Sequence, residues 1–510
     1  MLSFIKAWAE EIRTAIMMNF STSLLAAALA FPLVALGGCP TPHHDLRVKT
    51  TSGTFTGFVD PKLPDVRQWL GVPFGVPPVG NKRFLPAEPA PYSGSHGAKE
   101  YKPICLQNGG PGGGIFWELV PEFQNTDEQQ EDCLYLNIWA PPKAKREKGD
   151  DASKHKTKRL PVIIWVVGGA FQEGGGHAPY QVPDHWIQHT QTHLVVTFNY
   201  RVSVWGFPGA KGAPVNGAFT DVRLVVEWLR DNVEGFGGDP ERMILWGQSA
   251  GGGTVDAYSY ANPSDPIVSG LVSQSGVISQ TNRQNTSAFS AVAEKFGCND
   301  NDGEVELSCM QKVDTIELRT FIRSSASPRF GPSADNVTLF ENNTMRAEQG
   351  LVAKVPLILG NTINEGAAFA PKTPDYVEGP DEEFLKGWLQ RIRGKHGLPT
   401  YRYLSAGNFS NITPRPWLAA MHSSDIPLVF GTHWQYRGNS TELEWMTSFS
   451  MQGFWHGFAA DSSSDPVDGS GLVWPEYTSD VDNAMVLFGD GTGAQLVPRD
   501  YYDDVYQCDG

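Results

Sequence analysis

Gly247-Gln248-Ser249-Ala250-Gly251 sets a serine between glycines, directly after the apolar run Met243-Ile244-Leu245-Trp246 and before a segment of small residues. That pattern suits a strand turning sharply into a helix, with the glycines leaving room for a strained serine backbone and the hydroxyl standing above the sheet. The N–H of Ala250 would then point at an oxyanion forming beside the hydroxyl. A serine hydroxyl is a weak nucleophile at neutral pH, so this chemistry needs an imidazole base and a carboxylate that fixes the tautomer of the base. In a serine elbow of this kind the acid and then the histidine follow along the chain. Of the twelve histidines, this order leaves His396, His422, His433 and His456. His422 lies in a loop between the apolar Trp417-Leu418 and Ile426-Pro427, and Glu365 comes just after the strand-like Val355-Pro356-Leu357-Ile358-Leu359-Gly360. The C-terminal end of a strand is where α/β sheets carry their sites. A solvated loop glutamate and any of the four histidines are all compatible with spacing alone.

These residues need a rigid frame. Val162 to Val167 and Leu194 to Asn199 are continuous apolar runs, as expected of strands buried on both faces of a mainly parallel sheet. Asp221 to Asn232 repeats apolar residues at helical spacing, and glycines 235, 237 and 238 close it. Met243 to Trp246, Val355 to Gly360 and Ala484 to Phe488 read as further strands, and Leu136-Asn137-Ile138-Trp139 runs into a Pro-Pro stop. Strand, helix, strand, sharp turn and helix define an α/β fold with a large, mostly parallel central sheet and helices on both faces. No Gly-, Ser- or Pro-rich linker separates independent domains.

The chain has 510 residues, with 40 Lys+Arg against 56 Asp+Glu and a net charge of −16. Such a field repels nucleic acid and anionic lipid surfaces. Its 54 glycines and 37 prolines follow no repeat, which excludes fibrous and solenoid classes. Lys143 to Arg159 is interrupted by Glu147, Asp150 and Asp151 and reads as a solvated loop. Gly109 to Gly114 lacks the Lys-Ser/Thr of a phosphate cradle. Ser23 to Leu36 is apolar, shorter than the roughly 20 residues of a membrane span, and ends in small residues. We expect a secretory signal peptide over 1–37, cut after Gly37 or Gly38, with no stable membrane insertion afterwards. Glu10 and Glu11 make an awkward leader, so Met17 or Met18 is an alternative start.

None of the six cysteines forms a C-x-x-C pair, so a metal is not expected, and acyl transfer on a serine needs no organic cofactor. In a secreted chain Cys105 with Cys133 and Cys298 with Cys309 read as two local disulfides, although the sequence allows other pairings and leaves Cys39 and Cys508 open. Asn285, Asn336, Asn342, Asn408, Asn411 and Asn439 begin Asn-X-Ser/Thr triplets in polar stretches and are candidate glycan acceptors.

From about Leu46 to Phe488 the chain resembles the type-B carboxylesterase/lipase family of cholinesterase-like α/β-hydrolases, in its secreted fungal form. The likeness rests on ordered motifs: Leu70-Gly71-Val72-Pro73-Phe74, Pro77-Pro78-Val79-Gly80, Arg83-Phe84, Glu131-Asp132-Cys133-Leu134-Tyr135-Leu136-Asn137, Asn199-Tyr200-Arg201, Phe236-Gly237-Gly238-Asp239-Pro240, Gln274-Ser275-Gly276 and Trp474-Pro475-Glu476-Tyr477. The resemblance implies one α/β-hydrolase domain over 38–510, Ser249 as nucleophile, Glu365 as acid and His422 as base. It implies an oxyanion hole from Gly169, Ala170 and Ala250, supports both disulfides, and suggests ion pairs Arg83–Glu131 and Arg201–Asp221. A secreted serine carboxylesterase acting on a small-molecule or lipid-like ester is the expected activity. The family also leaves open a lipase whose Cys105–Cys133 loop opens at an interface, a natural-product esterase or acyltransferase, and a catalytically silent adhesion protein.

Two departures matter. Where many relatives carry His-Gly-Gly-Gly, this chain has Val167-Gly168-Gly169-Ala170, and where cholinesterases place a choline-binding tryptophan it has Phe123, with Trp117 further back. The oxyanion hole uses backbone N–H groups, so Ala170 can still donate, whereas choline specificity is not expected.

Overall fold

Buried apolar runs become the spine of one eleven-stranded sheet. The computed structural model describes residues 46–109, 114–142, 159–278, 287–369, 393, 396–478, 484–498 and 501. The expected signal peptide, Cys39, Cys508, Asn285 and residues 143–158 lie outside them.

The strands in chain order are β1 (Phe58–Val59), β2 (Arg67–Pro73), β3 (Tyr135–Ala140), β4 (Leu160–Val166), β5 (Leu194–Phe198), β6 (Gly238–Gln248), β7 (Gly270–Gln274), β8 (Leu357–Thr362), β9 (Thr400–Ser405), β10 (Met485–Phe488) and β11 (Ala494–Val497). Their spatial order is β11-β10-β9-β8-β7-β6-β4-β5-β3-β2-β1. From β5 to β10 all neighbours are parallel, and antiparallel pairs finish both edges. The order reverses between β4, β5 and β6, and at such a switch the strand ends leave a crevice. The tip of β6 delivers Ser249 there.

Alternation along β4 explains the two packed layers. Val162, Ile164 and Val166 enter one core, Ile163 and Trp165 the other. Helix α1 (Gly217–Phe236) adds Val222, Val225, Val226 and Leu229 to the first core, and α2 (Ala250–Ala261) adds Val255, Ala257 and Tyr258. Helix α3 (Glu442–Ala460) covers the opposite face with Met451, Phe454, Trp455 and Phe458. Burying each such large apolar side chain contributes roughly 2–3 kcal/mol. Gly237 ends α1 at φ +104°, a left-handed cap that a side chain would strain. Thr441 and Glu444 start α3 with a reciprocal capping box.

The expected strand at Val355 begins two residues later, at Leu357, and runs to Thr362; Pro356 cannot donate to a ladder. Both disulfides are formed, with Cα separations of 4.9 Å for Cys105–Cys133 and 5.4 Å for Cys298–Cys309. Arg83 pairs with Glu131 at 2.5 Å and Arg201 with Asp221 at 2.6 Å, all four side chains buried. One sequence expectation is corrected. Asn411 is 8% exposed and its Nδ2 donates to the His433 carbonyl, Ser440 and Glu444, so the folded chain offers that nitrogen to no glycan. Asn336, Asn342, Asn408 and Asn439 are exposed.

Candidate active site

Ser249 sits between β6 and α2 at φ 57°, ψ −125°, the strained turn anticipated for an exposed nucleophile. The glycines around it are demanded by close approach. A Cβ on Gly251 would lie 2.0 Å from the Val166 carbonyl oxygen, and one on Gly276 would lie 1.9 Å from that of Ser249. Ser249 N–H donates to the Gln274 carbonyl at 2.8 Å, fixing the turn against β7.

Glu365 opens a short 3-10 turn just after β8, and the Thr362 N–H donates to its Oε1 at 2.7 Å. Ser275, after β7, donates its hydroxyl to the same oxygen at 2.7 Å. The other oxygen, Oε2, meets Nδ1 of His422. Burial pushes the Glu365 carboxyl up, but His422, Thr362 and Ser275 outweigh it and hold the group below its ordinary range. Asn364 staples the acid loop to the histidine loop: its N–H donates to the Ala420 carbonyl at 3.0 Å, and its side chain donates to the carbonyls of Trp417 and Leu418. The loops carrying Glu365 and His422 are therefore fixed relative to each other by more than the ion pair.

On the other side of the imidazole, Nε2 of His422 stands 3.1 Å from Nε2 of Gln248. Three residues after His422, Asp425 is fully buried and accepts from Tyr403 at 3.0 Å. Burial, and then the neighbouring Glu365, push its carboxyl up to about 6.

Two clefts of about 150 and 200 Å³ meet at Ser249 and His422, and both are bounded by Ala170 and Phe369. The Val167–Ala170 loop turns beside the nucleophile: a Cβ on Gly168 would come within 3.0 Å of that of Ser249. Tyr200 holds this loop by donating to the Val167 carbonyl at 2.8 Å. Ala170 has φ 53° and Gly169 φ 116°. Ala250 begins α2, where a first-turn N–H has no partner within the helix. The three expected oxyanion donors thus border the clefts or the serine turn.

The structure brings together Ser249, Glu365 and His422 and leaves the other downstream histidines elsewhere. His433 meets Trp445 edge-on and pairs with Glu444, and His456 lies beside His193. Phe123 lines the first cleft, as its alignment with the choline-site tryptophan implies, with Phe116 at 5.7 Å edge-on. Sequence reasoning missed Phe116, Gln181 and Phe369, which sit in helical turns of three to five residues, too short to show a periodicity, and Glu173, which lies in a loop. Only the Gln274-Ser275-Gly276 motif hinted at Ser275.

The carboxylesterase family matches residues 44–387, and the chain belongs to that family. Accordingly it is a carboxylic ester hydrolase acting on small esters. It is 39% identical to a chlorogenic acid esterase of Aspergillus niger, over 94% of this chain and 98% of that one. It is 36% identical to a secreted lipase 5 of Gibberella zeae, over 91% and 94%. A solved thermophilic PNB esterase superposes with a TM-score of 0.70 at 24% identity, over 90% of this chain and 99% of its own, which bears on the fold alone. Among the described residues no helix is long and apolar enough to cross a membrane.

Proposed function

We propose that the protein is a secreted serine carboxylesterase that works through an acyl-enzyme on Ser249. The observation that carries this reading is the contact of the buried Glu365 carboxylate with Nδ1 of His422, beside clefts lined by both His422 and Ser249. With Nδ1–H donated to Glu365, Nε2 is left unprotonated and takes the Ser249 proton. The Ser249 oxygen bonds to the ester carbonyl carbon, and the N–H groups of Gly169, Ala170 and Ala250 bind the oxyanion. His422 returns the proton to the departing alcohol as the C–O bond breaks. Water, deprotonated by the same nitrogen, then releases the acid and restores Ser249.

The two disulfides favour an oxidising compartment, and a secreted relative points the same way. A leader over 1–37 and glycans on Asn285, Asn336, Asn342, Asn408 and Asn439 belong to this proposal. Chlorogenic acid, named in the Aspergillus relative, is the first natural ester to test. Ser249→Ala should abolish hydrolysis of p-nitrophenyl butyrate and covalent labelling by an organophosphate. Labelling retained at another serine overturns the assignment.

A further inference from the structure

The two clefts at Ser249 differ in chemistry. The second, of about 200 Å³, has Phe171, Gly253, Gly276 and Val277 in its wall, and its two unshared polar side chains, Ser275 and Glu365, are already engaged with each other and with Thr362 and His422. The first carries hydrogen-bonding side chains: Asn125, Glu173 and Gln181. Asn125 is 5% exposed; its Oδ1 accepts from the Asp127 N–H at 2.9 Å, while its Nδ2 has no partner. A buried amide donor left unpaired is costly and marks a place where a ligand acceptor belongs. Gln181 is 4% exposed and uses Oε1 to accept from the Trp165 indole at 3.0 Å, so its amide hydrogens remain for the cleft.

The direction of departure follows from the base. His422 Nε2 faces Gln248, which lines the first cleft and not the second. The leaving oxygen collects its proton from that nitrogen, and on this geometry the alcohol is assigned to the polar cleft and the acyl group to the other. We propose that the polar cleft is built for a polyhydroxylated alcohol, with Glu173, Asn125 and Gln181 hydrogen-bonding its free hydroxyls. This rests on the serine-esterase reading and names its substrate class, an ester of a polyol. The bond changes are those of the esterase: the Ser249 oxygen–acyl bond forms, the acyl–polyol bond breaks, and the His422 proton ends on the polyol oxygen.

Glu173 suits hydroxyls better than a fixed cation. Burial pushes its carboxyl up to about 7, against the pull of Trp117, Arg323 and Arg329. Near neutrality it both donates and accepts, matching groups that do the same.

The test compares a sorbitol monobutyrate with ethyl butyrate, so that only the alcohol differs. Wild-type enzyme should favour the sorbitol ester by about tenfold in kcat/KM, and Glu173→Leu should cut that ratio by about tenfold. Asn125→Asp keeps the oxygen that holds Asp127 but removes the free donor, and it should lower the ratio as well. A ratio near unity in the wild type, or one unmoved in both variants, overturns the polyol assignment. Organophosphate labelling of Ser249 without a polyol preference leaves the esterase reading standing. Absence of both labelling and hydrolysis sinks that reading, and the polyol assignment with it.

Discussion

The side-chain amide of Gln248 stands 3.1 Å from Nε2 of His422, on the ring nitrogen opposite the one that meets Glu365. The imidazole is thus held between a carboxylate and a neutral amide, and an amide N–H at that distance is satisfied by an unprotonated nitrogen. Gln248→Leu would remove that amide while keeping a side chain of similar size in the wall. If the amide orients the base, kcat should fall about tenfold with little change in KM; an unmoved kcat would show that Gln248 does not act on the base.

Ser275 and Glu365 lend themselves to a second experiment. The Ser275 hydroxyl is one of two uncharged donors to Oε1 of Glu365, and both residues are buried. Ser275→Ala removes a hydrogen bond to a charged group, which costs about 1.5–3 kcal/mol. Glu365 has a lowered folded value, so its stabilising contribution is complete above the ordinary carboxylate range and disappears as pH falls through the folded value. Losing the serine raises that value. The stability gap between wild type and Ser275→Ala should therefore be widest at neutral pH and narrow below about pH 4. Urea unfolding at the two pH values reads it, and kcat should fall about tenfold with little change in KM if the role is positioning.

Parts of this architecture were legible in the residues for a physical reason. β4, β5 and the end of β6 are buried on both faces, so Val162 to Val166, Leu194 to Phe198 and Met243 to Trp246 are uninterrupted apolar runs. β9 is equally buried, yet its sequence is Thr-Tyr-Arg-Tyr-Leu-Ser and it shows no such run. Its polar groups are met inside the fold: Thr400 accepts from Arg393, and Arg402 lies over the Tyr477 ring. The same contrast holds at the site. Ser249 and Glu365 closely follow strand ends and His422 lies in a recognisable loop motif, whereas Glu173, in a loop, and Phe369, at the end of a five-residue turn, reach the clefts only through tertiary folding.

Asp221 offers a stability prediction away from the clefts. It accepts from the backbone N–H, Nε and Nη2 of Arg201, while Nη1 of Arg201 donates to the Leu85 carbonyl. Asp221→Ala would leave the guanidinium buried without its counter-charge, at a cost of about 3–5 kcal/mol. The urea midpoint should fall accordingly. Asp221→Leu combined with Arg201→Met should recover part of the loss, since the buried charge is then gone as well; no recovery would mean that the pair also fixes the chain path at Arg201.

The two disulfides should separate stability from substrate binding. Cys105–Cys133 closes a 28-residue separation that includes Phe116, Phe123 and Asn125, all of which border the first cleft. Cys298–Cys309 closes an 11-residue separation, and Cys298 packs in a cluster with Phe289, Leu307 and Met310, none of which lines either cleft. Opening either loop frees the unfolded chain, with a cost of about 2–4 kcal/mol. Paired Cys→Ser replacements at 298 and 309 should lower thermal stability and leave KM within about twofold, because the altered loop touches no cleft residue. Replacements at 105 and 133 should lower stability and also raise KM about tenfold, because the wall residues lose the constraint that holds them at the cleft. Equal KM values in the two double variants would show that the wall is held by its packing alone, with Phe116 edge-on to Phe123 and Phe123 tilted on Tyr180 as the remaining contacts.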